Sequence, residues 1–219
     1  MPKIIIKKWP IVVVIVIFIS LLGIFLWKSN IKETTMSWDN HDDLKLTDEG
    51  KKTYEESMAK LEDRGDDSGV LTDLAHLRDR GGDPQGSIQL YKKALESDPD
   101  NTLALFNLAE VYKSVGNYQE AAEMYSKVIE YHPLEVSAYR RLFDLVREKL
   151  PQRYNDKEIL ETILRGWQVN ADRPEGFMEM AAIYYEDKGD LSTAKKYYDE
   201  LLQYNPNNEV AQEGIKRLK

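Results

Sequence analysis

The sequence predicts an all-α chain: a membrane-spanning helix, a polar linker and a solenoid of about four helical hairpins with a capping helix at each end. Three observations predict it. A glycine turn, small residues, a tyrosine and a closing proline recur with a period of 34 residues; a run of 19 residues near the amino terminus carries no charge; and apolar residues fall at helical spacing on either side of the repeats.

The repeat is plainest in Gly116 to Pro133, GNYQEAAEMYSKVIEYHP. One period earlier stands Gly82 to Pro99, GDPQGSIQLYKKALESDP, with Tyr91 in place of Tyr125. Further on, Gly189 to Pro206 reads GDLSTAKKYYDELLQYNP, with Ala194 for Ala121 and Tyr198 for Tyr125. A self-similar period of this length marks a stack of supersecondary units, each unable to bury its apolar face alone.

At 219 residues the chain has room for one anchor and one soluble domain of ordinary size. The formal net charge is −8, and with the three lysines of the first 27 residues set aside, residues 28–219 carry −11. Nucleic acid or anionic lipid would be repelled over most of that surface, so no nucleic-acid partner is expected. The chain has no cysteine, which excludes disulfides, thiolate catalysis and cysteine zinc sites.

Residues 1–8 form a basic amino terminus with Lys3, Lys7 and Lys8. Residues 9–27, Trp9 to Trp27, follow without a charge and would span about 28 Å as a helix, the thickness of a bilayer's hydrocarbon core. Trp9 and Trp27 bracket the run at the depths where amphipathic rings settle, and Pro10 falls in the first turn, where a missing N–H is harmless. A cleaved signal peptide would need small residues just beyond the apolar run; LWKSNIKETT supplies none, so an uncleaved signal anchor is expected. The lysines ahead of the run outnumber Lys28 and Lys32 behind it. That bias puts the amino terminus in the cytoplasm and the repeats outside, at a bacterial cell membrane crossed once. A mitochondrial outer-membrane anchor, which would leave the repeats in the cytosol, would be less apolar.

Residues 28–46 read as a flexible polar linker of about 25 Å reach. His41 lies there among acids on a mobile stretch, an arrangement that suits solvation rather than metal binding. Thr47 is a candidate N-cap for a packing helix over 47–64, with Tyr54, Met58 and Leu61 on one stripe. Counting back from the turn glycines, hairpins occupy 68–101, 102–135 and 175–208. Gly116 and Gly189 stand five residues further apart than two periods, so a divergent hairpin over 136–174 carries a five-residue insertion, placed in its turn at LPQRYN. Residues 209–219 align Ala211, Ile215 and Leu218 on one face, as a solvating terminal helix requires.

The positions carrying this pattern, Leu105, Leu108, Ala109, Tyr112, Gly116, Ala121, Tyr125 and Pro133 in the second hairpin and their counterparts in the first and fourth, resemble the tetratricopeptide repeat family. The resemblance covers residues 68–208 and implies a right-handed α-solenoid whose first helices line a concave groove. Phe143 and Leu160 depart from it, standing where small residues are usual; the two helices of the third hairpin are expected to sit further apart, with a local change of curvature.

The groove positions the resemblance implies include Thr72 and His76 in the first unit, Phe106, Asn107 and Glu110 in the second, Arg140, Arg141 and Asp144 in the third, and Met180 and Ile183 in the fourth. Arg140 and Arg141 form a basic spot that could take a carboxylate in fork geometry, or could pair internally with Glu110 or Asp144. Of the five positions of the carboxylate clamp in chaperone-binding members, Asn107 and Arg141 match while Thr72, His76 and Ser137 do not, so a full clamp is not expected. Three scattered histidines, no glycine-rich phosphate loop and no convergent acids give no catalytic constellation, so the chain is read as a non-enzyme without cofactor or metal.

The expected role is a membrane-tethered scaffold that binds a protein or peptide partner in envelope assembly or secretion. A chaperone-like holder of unfolded secreted chains and a structural spacer are the alternatives. A reporter fused after Lys219 and active only outside the cytoplasm is expected to work; a silent reporter would reverse the assigned topology.

Overall fold

The computed structural model describes residues 43–155 and 157–219. The expected membrane helix at 9–27, the basic amino terminus and most of the linker, including His41, lie outside them. No helix among the described residues is long and apolar enough to cross a membrane. The described residues form eleven helices and no strand, and Leu44–Lys219 make one compact unit.

Helix α1 (Asp48–Arg64) precedes four hairpins. These are α2 (Ser68–Arg80) with α3 (Pro84–Ser97), α4 (Thr102–Ser114) with α5 (Tyr118–Tyr131), α6 (Val136–Lys149) with α8 (Glu158–Val169), and α9 (Glu175–Asp187) with α10 (Leu191–Tyr204). A short α7 (Pro151–Asn155) interrupts the third, and α11 (Glu209–Arg217) closes the stack.

Local chemistry starts these helices. The side chains of Thr47, Asp67, Asp83, Asn101, Asp190 and Asn208 each accept a hydrogen bond from the backbone N–H three residues on, satisfying one otherwise orphaned donor. Gly82, Gly116 and Gly189 turn the three regular hairpins with φ of 85°, 83° and 76°, a left-handed conformation only glycine adopts without strain. The third hairpin has Leu150 at this position, with φ of −128°, so the tight turn is closed to it and the chain continues into α7.

Within the regular hairpins, Ala75 and Ser87, Ala109 and Ala121, and Ala182 and Ala194 occupy matching repeat positions, all fully buried. Small side chains there let two antiparallel helices approach closely, while Tyr91, Tyr125 and Tyr198, also fully buried, fill the seams between units. In the third hairpin α6 and α8 pack far less intimately. Phe143 is fully buried and meets Tyr154 of α7 edge-on at 5.9 Å, so the inserted helix fills the space the bulkier residue opens.

From there an aromatic chain crosses into the fourth unit. Tyr154 meets Tyr184 at 5.6 Å, Tyr184 meets Tyr185 at 5.6 Å, and Tyr185 stacks on Tyr197 at 5.7 Å, which in turn meets Trp167 at 6.0 Å. Lys188 lies over the Tyr154 ring at 4.7 Å, a cation–π contact that pins α7 to the next hairpin.

The amino-terminal cap docks through a buried cation. Arg78 donates to the Tyr54 hydroxyl of α1 at 2.9 Å and to the Asp83 carboxylate at 2.6 Å, so one guanidinium ties α1 to the first turn. The linker ends earlier than the sequence suggests. Leu44 is buried and the Lys45 N–H donates to the Gly81 carbonyl at 2.9 Å; Gly81 admits Leu44 because a β-carbon there would stand 2.9 Å from that of Leu44.

Gly166 of α8 is a comparable close approach. A β-carbon there would lie 2.5 Å from ring carbons of Tyr139 and Phe177, which are themselves buried edge-on at 5.1 Å. Gly166→Ala is expected to destabilise the protein, since overpacking of about 1–3 kcal/mol exceeds the roughly 1 kcal/mol gained in helix propensity. A melting midpoint by circular dichroism equal to or above the parent's would contradict this packing.

Candidate functional site: the concave helix face

The first helices of the hairpins, α2, α4, α6 and α9, carry the positions expected to face a ligand. Two of them offer no surface. Met180 is fully buried and Thr72 nearly so, the latter donating its hydroxyl to the Ser68 carbonyl at 2.7 Å and lying 3.5 Å from the Asn101 amide. Both are corrections: Met180 lies on the core-facing stripe of α9, and Thr72 serves the junction between the first two units. His76 is exposed, Phe106, Asn107 and Ile183 are half-buried, and Asp144 is exposed. Phe106 stands edge-on to Tyr125, with ring centroids 6.0 Å apart.

The basic spot of the third unit is spoken for. Arg141 donates to Glu110 of the preceding unit at 2.6 Å, and Arg140 meets Glu179 of the following unit at 2.8 Å while reaching the Gly176 carbonyl at 3.3 Å. Arg147 grips Asp187 through two nitrogens at 2.6 and 3.2 Å. A ligand carboxylate would have to displace one of these partners. The pairing with Glu110 was legible as an internal alternative; Glu179 and Asp187, about forty residues away, could be assigned only once the units were stacked.

Three buried tyrosines share a motif that the repeat pattern did not disclose. The Tyr125 hydroxyl donates to Glu110, that of Tyr154 to Asp187 at 2.7 Å, and that of Tyr198 to Glu186 at 2.6 Å. Each carboxylate also holds an arginine, Arg141, Arg147 and Arg217 respectively. Burial first, and the adjacent carboxylate second, push all three phenols well above their ordinary range. The equivalent Tyr91 of the first unit is fully buried yet its hydroxyl has no hydrogen-bond partner of good geometry; it faces Asn107, Ser87, Asp79 and Asp73.

The acids in these clusters are perturbed in turn. The Arg217 guanidinium holds the Glu186 carboxyl below its usual range, helped by the Tyr198 hydroxyl and opposed by burial. Burial raises Asp187, but Arg147 and Tyr154 outweigh it and the net shift is downward. Asp144, exposed but flanked by packed neighbours, moves the other way, raised by partial desolvation despite Arg140 one turn before it.

A second concavity lies on α5, α6 and α8, where the third hairpin is loose. Its volume is about 360 Å³, and Ile129, Tyr139, Leu142, Ile159 and Val169 line it, with Arg153 and Arg165 among the polar residues. Its signal in the sequence is the pair of departures at Phe143 and Leu160. Among the described residues no three histidines or carboxylates converge to hold a metal ion.

Comparison with known proteins gives the same architecture. Tetratricopeptide repeat family models match residues 80–143 and 175–208. No curated protein matches the sequence. Among solved structures, MamA is similar at 21% identity over 69% of this chain and 80% of its own, with a TM-score of 0.55. A tetratricopeptide repeat protein from Parabacteroides merdae matches at 20% identity over 75% of this chain and 63% of its own, with a TM-score of 0.59. YrrB, described as a TPR protein with an unusual peptide-binding site, matches at 19% identity over 74% of this chain and 90% of its own, with a TM-score of 0.53. At these identities the likeness is one of fold.

Both Glu186 and Asp187 sit below their unfolded values, so their stabilisation is complete above those values and is lost as pH falls through the folded ones. Stability is expected to fall from about pH 5 towards pH 3, and Glu186→Gln to lower the midpoint at pH 7 and flatten that acid limb. An unchanged acid limb in denaturant titrations would show that Glu186 does not bear on it.

Proposed function

Because the chain is a tetratricopeptide-repeat protein, we propose that it is a membrane-tethered scaffold that takes an extended segment of a partner protein on the concave face of its first two units. One observation carries this reading. On α2 the exposed Asp73 and His76 and the half-buried Asp79 form no side-chain hydrogen bond or ion pair among the described residues, whereas the arginines of the third unit are tied to neighbouring units. Asn107 adds a carboxamide with both donors and an acceptor, matched to a peptide main chain, and Leu103, 58% exposed, with Phe106 gives an apolar step beside it.

The apolar run from Trp9 to Trp27 supports the tether, and its lysine bias supports a cytoplasmic amino terminus with the repeats outside the cell membrane. Restricting the solenoid to the bilayer surface raises the effective concentration of the groove for membrane-associated or exported partners, which fits envelope assembly or secretion. A holder of unfolded chains would need a longer apolar strip. With Met180 buried, that strip reduces to Leu103, Phe106 and the half-buried Ile183.

A photoreactive residue in place of Phe106 is expected to trap one dominant partner in intact cells, and one in place of the exposed Lys127 of α5 to trap none. Trapping from position 127 alone would move binding to the other face and favour the spacer; many products from position 106 would favour the holder.

A further inference from the structure

The groove has a sign. Each basic side chain on α4 and α6 that faces it has an acidic partner: Lys113 and Arg141 meet Glu110 at 3.5 and 2.6 Å, Arg140 meets Glu179 at 2.8 Å, and Arg147 meets Asp187 at 2.6 Å. Arg80, the remaining cation of α2 near this face, borders a separate crevice with Lys45, Thr47 and Glu49 beside α1. Asp73 and Asp79 are left with no counter-ion among the described residues. A charged group reaching the first two units therefore meets uncompensated carboxylates.

An independent feature points to the same place. Of the three buried tyrosines at this repeat position, Tyr125 and Tyr198 give their hydroxyl to a carboxylate, as Tyr154 of α7 also does, and Tyr91 does not. Its buried hydroxyl faces Asn107, Asp79 and Asp73, and the neighbouring Ser87 hydroxyl is likewise buried without a partner of good geometry. Polar groups left poorly paired inside a protein are destabilising, and one that persists in a fold calls for an explanation, such as engagement by a further group. At the repeat position where Glu110 satisfies Tyr125, the first unit has His76, which is exposed and leaves Tyr91 without a carboxylate acceptor.

We propose that the first two units seat a basic extended segment of the partner, a lysine or arginine lying between Asp73 and Asp79, Asn107 pairing with the segment's main chain above Tyr91, and Leu103 and Phe106 taking an apolar neighbour. This rests on the groove reading above and adds to it the charge of the ligand. The guanidinium side of the groove, consumed in ties between units, plays no part in selecting it. Acidic segments are turned away by the same two carboxylates.

The test uses the full chain in non-ionic detergent and two fluorescein-labelled decapeptides of alternating leucine and glycine, one with three lysines and one with three glutamates in their place. Fluorescence anisotropy is expected to show the lysine peptide binding about tenfold or more tightly than the glutamate peptide, with the preference shrinking as salt is raised. Asp73→Asn with Asp79→Asn is expected to abolish the preference and Asp73→Glu to keep it, all three chains having the same circular dichroism. Equal affinity, tighter binding of the glutamate peptide, binding of neither peptide, or a preference that survives the double substitution overturns the assignment. Crosslinking from position 106 separates the two levels: if it persists while the charge preference fails, only the sign of the ligand is wrong, and if it fails as well the groove reading falls with it.

Discussion

A helical hairpin of this length can bury only one side of itself, so each unit is stable only against the next. The rest of the structure follows from how closely the two helices of a hairpin can approach. In three units a left-handed glycine makes the turn and a pair of small residues makes the contact, as at Gly116 with Ala109 and Ala121. That closeness leaves a seam of fixed width between units, and one tyrosine per unit fills it. The stacking places α2, α4, α6 and α9 one after another as the first helices of their units.

The third unit shows what happens when the constraint is lifted. Leu150 cannot adopt the glycine turn and Phe143 cannot permit close contact, so α7 is inserted and the gap is filled with rings. The aromatic chain from Phe143 to Trp167 and the grip of Arg147 and Tyr154 on Asp187 then hold the third and fourth units together. Where that filling is incomplete, on α5, α6 and α8, a cleft of about 360 Å³ remains.

Charge is used twice in this solenoid, and the two uses compete. Isolated exposed ion pairs contribute little, about 0–1 kcal/mol each. Here they are bridged by a buried tyrosine hydroxyl and repeat at successive seams, Arg141 to Glu110, Arg147 to Asp187 and Arg217 to Glu186, so they fix register between units as well as adding stability. An arginine occupied in this way is withdrawn from ligand recognition. The polar side chains left unpaired on the first helices, Asp73, His76 and Asp79, lie instead in the first unit.

The period of 34, the turn glycines and the caps are local signals, so the hairpins, their order and the site of the insertion could be read from the chain with no structure in hand. Exposure at the groove could not. Thr72 and Met180 occupy repeat positions that face the groove in principle, but one is committed to the junction with Asn101 and the other to the core, because a given helical position rotates toward or away from solvent as its neighbours change size. The partners of Arg140 and Arg147, and the lack of a well-aligned partner for the Tyr91 hydroxyl, were also decided only by tertiary structure. Residues some forty positions apart meet at a distance set by how tightly the units stack, and that distance is a property of all the intervening side chains together.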